Sequence, residues 1–135
     1  MTSTVELLST FETKVLEFQE AFNINHPDEV NLKLIAEELS EVKKAAAHLL
    51  KEMCDLLYVS INANLLGTPL PPSIFADVLD PLYEIFPVEV FEEAFRRVHE
   101  SNMSKLVMGK PMLRHDGKVL KGPNYKPPYL EDLIA

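Results

Sequence analysis

Four carboxylates, Glu38, Glu41, Glu52 and Asp55, form two i,i+3 pairs placed symmetrically about a point between Ala46 and Ala47. Residues three apart are neighbours on a helix. If the chain folds back at the two alanines as an antiparallel helix hairpin, Glu41 comes level with Glu52 and Glu38 with Asp55, and four acids share one small volume. Carboxylates crowded at a buried face must take up protons or bind a cation. All-oxygen donors suit hard ions, Mg2+ first and Mn2+ as a substitute. The same stretch supports a second reading. Leu32, Ile35, Leu39, Val42, Ala46, Leu49, Met53, Leu56 and Ala63 keep one heptad register, which a single long helix would equally produce, leaving the acids as solvated flank charges. Neither Gly nor Pro marks a turn between Glu41 and Glu52. On the side of the hairpin, the run from Leu56 to Leu66 is apolar on nearly every face, as expected of a helix inside a bundle.

The elements that must position these acids are punctuated by prolines, none of which falls between Asp28 and Thr68 or between Val88 and Lys110. A first helix is expected from about Thr4 to Phe22, with Val5, Leu8, Val15, Phe18 and Phe22 on one face. Asn23 to Pro27 breaks it. Asp28 can cap a second helix to about Lys44, and after a tight turn a third runs to Leu66 with Gly67 as its stop. The proline-rich stretch 67–87, with Ile74, Phe75, Val78, Leu79 and Leu82, reads as a packed loop with one or two helical turns. In a fourth helix Val88, Phe91, Phe95 and Val98 define the inward stripe, and the same spacing then lands on Asn102 and Lys105. A stripe that turns polar marks either a polar pocket or a helix end emerging into water. In a pocket, Asn102 can donate to phosphate or sugar oxygens and Lys105 can neutralise phosphate charge.

Residues 110–135 carry too many breakers for a helix and form an extended arm, with Asp116 and Gly117 suited to a tight turn between Met112–Arg114 and Val119–Leu120. Lys110, Arg114, Lys118, Lys121 and Lys126 concentrate positive charge there. Such an arm either closes over a polyphosphate or is a solvated surface strand.

The 135 residues make one domain's worth of chain, and 47% hydrophobic content supports a core. A net charge of −8 argues against nucleic acid or an anionic membrane as partner. The single cysteine, Cys54, lies in an apolar helical stretch and reads as a core residue rather than a nucleophile. No histidine shows zinc-ligand spacing. With no basic segment followed by an apolar run near the start, and no run of 18 apolar residues, a cytoplasmic location is expected. The heavily apolar third helix calls for a partner subunit, so a homodimer or homotetramer is expected.

The segment EELSE, Glu37 to Glu41, followed by KEMCDLLYV, Lys51 to Val59, resembles the E-x-x-E and E-x-x-D signature of the all-α nucleoside triphosphate pyrophosphohydrolases, which include MazG, the dimeric dUTPases and phosphoribosyl-ATP pyrophosphohydrolase. VHESNMSKL, Val98 to Leu106, and DGKVLKGPNYKPP, Asp116 to Pro128, look like the MazG-like branch. The ten residues between Glu41 and Glu52 are short for that family, and 67–87 looks like an insertion. The resemblance implies a single all-α domain, a four-helix MazG-like bundle with an irregular C-terminal arm. It implies Mg2+-dependent hydrolysis of a nucleoside triphosphate to the monophosphate and pyrophosphate, with phosphoribosyl-ATP as an alternative substrate. Glu38, Glu41, Glu52 and Asp55 would be the metal ligands and Glu37 or Glu38 the base. Asn102, Lys105, Lys118, Lys121, Asn124 and Tyr125 would contact substrate. The alternative of another class is a non-catalytic helical interaction protein.

Overall fold

A computed structural model describes residues 3–73 and 80–134. Among these the regular structure is helical: α1 Thr4–Phe22, α2 Asp28–Leu65, the single turn α3 Asp80–Tyr83, and α4 Val88–Met103, followed by a 3-10 turn at Glu131–Leu133. The all-α expectation holds. Two compact units divide the chain, the first ending at Leu39 and the second beginning at Ser40.

In the first unit, α1 begins where its sequence can satisfy free backbone donors. The Glu6 N–H donates to Ser3 Oγ at 3.2 Å, and the Ser3 N–H donates back to the Glu6 carboxylate at 3.0 Å, a reciprocal cap. Asn23, at φ 52, takes the left-handed conformation that ends the helix and donates its N–H to the Gln19 carbonyl. Phe18 and Phe22 pack ring to ring with centroids 4.7 Å apart. The apolar face of α1 stays open, and Phe11 is 52% exposed.

The second unit holds the core. Ala47, Leu50, Met53 and Cys54 of α2 meet Ala94 and Val98 of α4, with Phe86 and Leu130 closing the cluster. Their i, i+3, i+4 spacing makes one stripe on each helix. Tyr83 meets the Phe91 ring edge-on at 5.0 Å. The helical turn expected within 67–87 is α3, whereas Ile74, Phe75, Val78 and Leu79 lie outside the described residues, as does the Leu82 side chain.

Three expectations need correction. The hairpin does not form: α2 is one helix from Asp28 to Leu65, as its unbroken heptad register and lack of any breaker between Glu41 and Glu52 allow. The four-helix bundle is therefore not the observed architecture, because the expected second and third helices are one. Finally, α4 ends at Met103, so Lys105 follows the helix rather than continuing its stripe. The expected stop at Gly67 holds; its φ of +84 is open to glycine without strain.

Candidate functional site

An open cleft of about 1100 Å³ lies within the second unit, walled by α2, the last turn of α4 and the arm. Asp55, Tyr58 and Asn62 come from one face of α2 at i, i+3 and i+7, with Lys51 one turn before Asp55. Asn102 comes from α4, Lys105 from just beyond it, and Lys118, Lys121 and Tyr125 from the arm. Four lysines, Lys51, Lys105, Lys118 and Lys121, thus face the cleft against the single carboxylate of Asp55, in a chain of net charge −8. Positive charge concentrated in a concavity draws anions.

Packing and backbone geometry fix this charge in place. The Tyr125 ring lies under two ammonium groups, with Lys121 Nζ 4.9 Å and Lys105 Nζ 5.9 Å from its centroid. The arm reaches this position by passing close to the end of α4. A Cβ built at Gly122 would stand 2.5 Å from Val107 Cγ2 and 3.0 Å from the Lys105 carbonyl oxygen, so only glycine fits the crossing. Beyond it the arm is clamped to α4. The Ser101 hydroxyl donates to the Lys126 carbonyl at 2.7 Å, while the Lys126 N–H donates to Ser104 Oγ at 2.9 Å. Arg97 donates to the Tyr129 carbonyl at 3.0 Å and pairs with Asp132 and Glu93. At the base of the arm, the Arg114 N–H donates to the Lys118 carbonyl at 2.8 Å, the Gly117 N–H donates to the Arg114 carbonyl at 2.9 Å, and Gly117 takes φ +90, giving the expected tight turn between the bridged residues Leu113 and Val119.

Of the residues singled out in the sequence, Asp55, Asn102, Lys105, Lys118, Lys121 and Tyr125 come together at this cleft. Asn124 is exposed beside it and is not part of its lining. Glu41 and Glu52 are exposed on α2 and do not line it either. These two acids stand eleven positions apart, a rise of about 16 Å and a net rotation of about 20° on a continuous helix, so they share a side without sharing a volume. Glu37 and Glu38 are exposed residues of the first unit.

A divalent cation needs several oxygen donors converging on one point. Among the described residues no three His, Cys, Asp or Glu side chains stand close enough to share one. Of the expected ligands, Glu52 and Asp55 share a neighbour, and it is the Lys51 ammonium, 3.5 and 2.9 Å from their oxygens. Within one chain these residues do not fit Mg2+. The Tyr58 hydroxyl and His99 Nδ1, 3.0 Å apart, form a polar link between the cleft wall and α4. Sequence reasoning missed Lys51 and the serine clamp. The i,i+4 spacing of Lys51 and Asp55 was a signal for the first, and nothing local marked the second. The chain matches no family model, no curated protein and no solved structure.

Proposed function

We propose that the cleft binds the polyphosphate of a nucleotide and that the chain is a nucleotide pyrophosphohydrolase, converting a nucleoside triphosphate and water to the monophosphate and pyrophosphate. The observation that carries this reading is the convergence of four lysines on one cleft, two of them over the Tyr125 ring, in an otherwise acidic chain. Lys105, Lys118 and Lys121 neutralise phosphate oxygens, and Asn102 donates to phosphate or ribose. Because Tyr125 and the clamped arm hold the ammonium groups before a ligand arrives, little reorganisation opposes binding. Asp55 is the acid at the wall and takes the proton of the attacking water. The resemblance of the EELSE and KEMCD segments to the pyrophosphohydrolase signature supplies the reaction class, and a homodimer or homotetramer is proposed with it.

The expected Mg2+ ligands do not gather within one chain among the described residues, so Mg2+ and Mn2+ are variables of the assay. The test is product analysis over NTPs, dNTPs and phosphoribosyl-ATP with and without these ions, separating pyrophosphate from phosphate. Release of pyrophosphate, lost in Asp55→Asn, is the expected result. The separation of Glu41 from Glu52 favours a second reading, nucleotide binding without hydrolysis. Tight binding with no product under any condition would establish it.

A further inference from the structure

Tyr58 lines the cleft but belongs to none of the roles above. Two of the described residues in that lining are aromatic, and they are engaged differently. The Tyr125 ring is taken up by the Lys105 and Lys121 ammonium groups. Tyr58 is braced by α4 instead. Its hydroxyl pairs with His99 Nδ1 at 3.0 Å, and its ring centroid lies 5.6 Å from that of Phe95 and 6.0 Å from that of His99. Phe95 and His99 stand one turn apart on α4, so hydroxyl and ring are both held from that one helix. With the hydroxyl bound to His99, this partly buried side chain offers the cleft an aromatic ring rather than a free polar tip. A ring fixed in advance is a stacking surface for another flat ring and loses little freedom when a ligand arrives.

We propose that Tyr58 is the platform on which the base of the nucleotide stacks, so that the cleft separates nucleotides from bare polyphosphates. This rests on the cleft being a phosphate site. Every nucleobase has a flat face, which makes an aromatic platform suited to the whole class. Asp55 precedes Tyr58 by three residues on the same face of α2, a rise of about 4.5 Å. The nucleoside end of the ligand therefore belongs at the wall that carries Asp55, and the phosphate tail is left to Lys105, Lys118 and Lys121. Phosphate and base are read by different residues, and each can be removed without the other.

The experiment compares the full-length chain with Tyr58→Leu, Tyr58→Phe and Lys121→Ala, measuring the binding of ATP and of inorganic triphosphate by calorimetry. Tyr58→Leu should bind ATP roughly tenfold more weakly, the scale of one base stacked on an aromatic side chain, and triphosphate as the unaltered chain does. Tyr58→Phe keeps the ring and should keep ATP binding, whereas Lys121→Ala should weaken both ligands. Unchanged triphosphate binding doubles as the control that Tyr58→Leu is folded. In the unaltered chain, ATP but not triphosphate should move the Tyr58 ring protons upfield in NMR spectra, which carries the test if Tyr58→Leu does not fold. If Lys121→Ala weakens both ligands while Tyr58→Leu weakens neither, or both alike, or if ATP leaves the ring protons in place, Tyr58 is not the platform and the cleft reading stands. If Lys121→Ala changes neither ligand, the cleft reading fails and this inference falls with it.

Discussion

Lys105 and Lys121 approach one aromatic ring from different segments, Lys105 from the turn after α4 and Lys121 from the arm. Two ammonium groups held at one spot repel each other, and an anion relieves the repulsion. Each should therefore matter more with ligand than without it. Lys105→Ala and Lys121→Ala are expected to lower kcat/KM by about 1.5–3 kcal/mol each, the range for a hydrogen bond to a charged group, with Asn102→Ala milder. Steady-state kinetics at fixed ionic strength checks this, and wild-type values in all three would remove the phosphate role. A second charged cluster acts on stability instead. Hydrogen bonds from Arg96, then Arg97, hold the Glu93 carboxyl down to about 2, below its usual 4.5. A depressed carboxylate contributes stability that is full above the unfolded value and is lost as pH falls toward the folded one. Unfolding free energy should therefore drop between about pH 4.5 and 2, and Glu93→Gln should flatten that limb in urea titrations at stepped pH.

At the level of elements, α2 carries the sharpest claim. A proline placed at the centre of an unbroken helix removes a hydrogen bond and clashes with the preceding turn, at a cost of about 3 kcal/mol or more. Ala46→Pro should lower stability by that amount in urea unfolding. A chain that turned at Ala46 would tolerate the substitution. The contrast shows why some elements were legible and this one was not. The ends of α1, the start of α2 at Asp28, the stop at Gly67 and the turn at Asp116–Gly117 carry local chemistry: a capping box, a helix-starting acid, and glycines at positive φ. Between Glu41 and Glu52 no residue ends a helix, so the symmetric acids suggested a fold that backbone propensity did not enforce. The cleft lining was legible where charge stood out against an acidic chain, in Lys118 and Lys121, and where the stripe of the fourth helix turned polar, at Asn102 and Lys105. It was not legible where a role depends on distant pairing. Ser101 and Ser104 meet Lys126 more than twenty residues away, and only the folded arm brings them together.

For the whole molecule, burial is uneven. The described core residues, from Ala47 to Leu130, all belong to the second unit, while Leu8, Phe11, Val15, Phe18, Ile35 and Leu39 of the first are exposed. Water contact with so many large apolar groups is unfavourable at about 25 cal/mol per Å², so a surface of this kind drives association. Light scattering at micromolar concentration is expected to give at least twice 15.3 kDa. Substituting Phe11 and Val15 together by serine should shift the mass toward a single chain while leaving the second unit's core untouched, and a stable, fully active monomer of the unaltered chain would refute the assembly. No helix among the described residues is long and apolar enough to cross a membrane.

The sole cysteine turns the core into its own clock. Cys54 is wholly buried between α2 and α4, and that burial, reinforced by the neighbouring Asp55 charge, pushes its thiol up to about 12. Alkylating reagents attack thiolate, so the folded chain should be inert to them at neutral pH. Labelling then reports how often the second unit opens. Mass spectrometry of iodoacetamide adducts over time should give a rate that slows when triphosphate is added, because a ligand bound only to the closed form suppresses opening by mass action. Labelling as fast as that of a free thiol would mean that the helix pair around Cys54 does not stay closed.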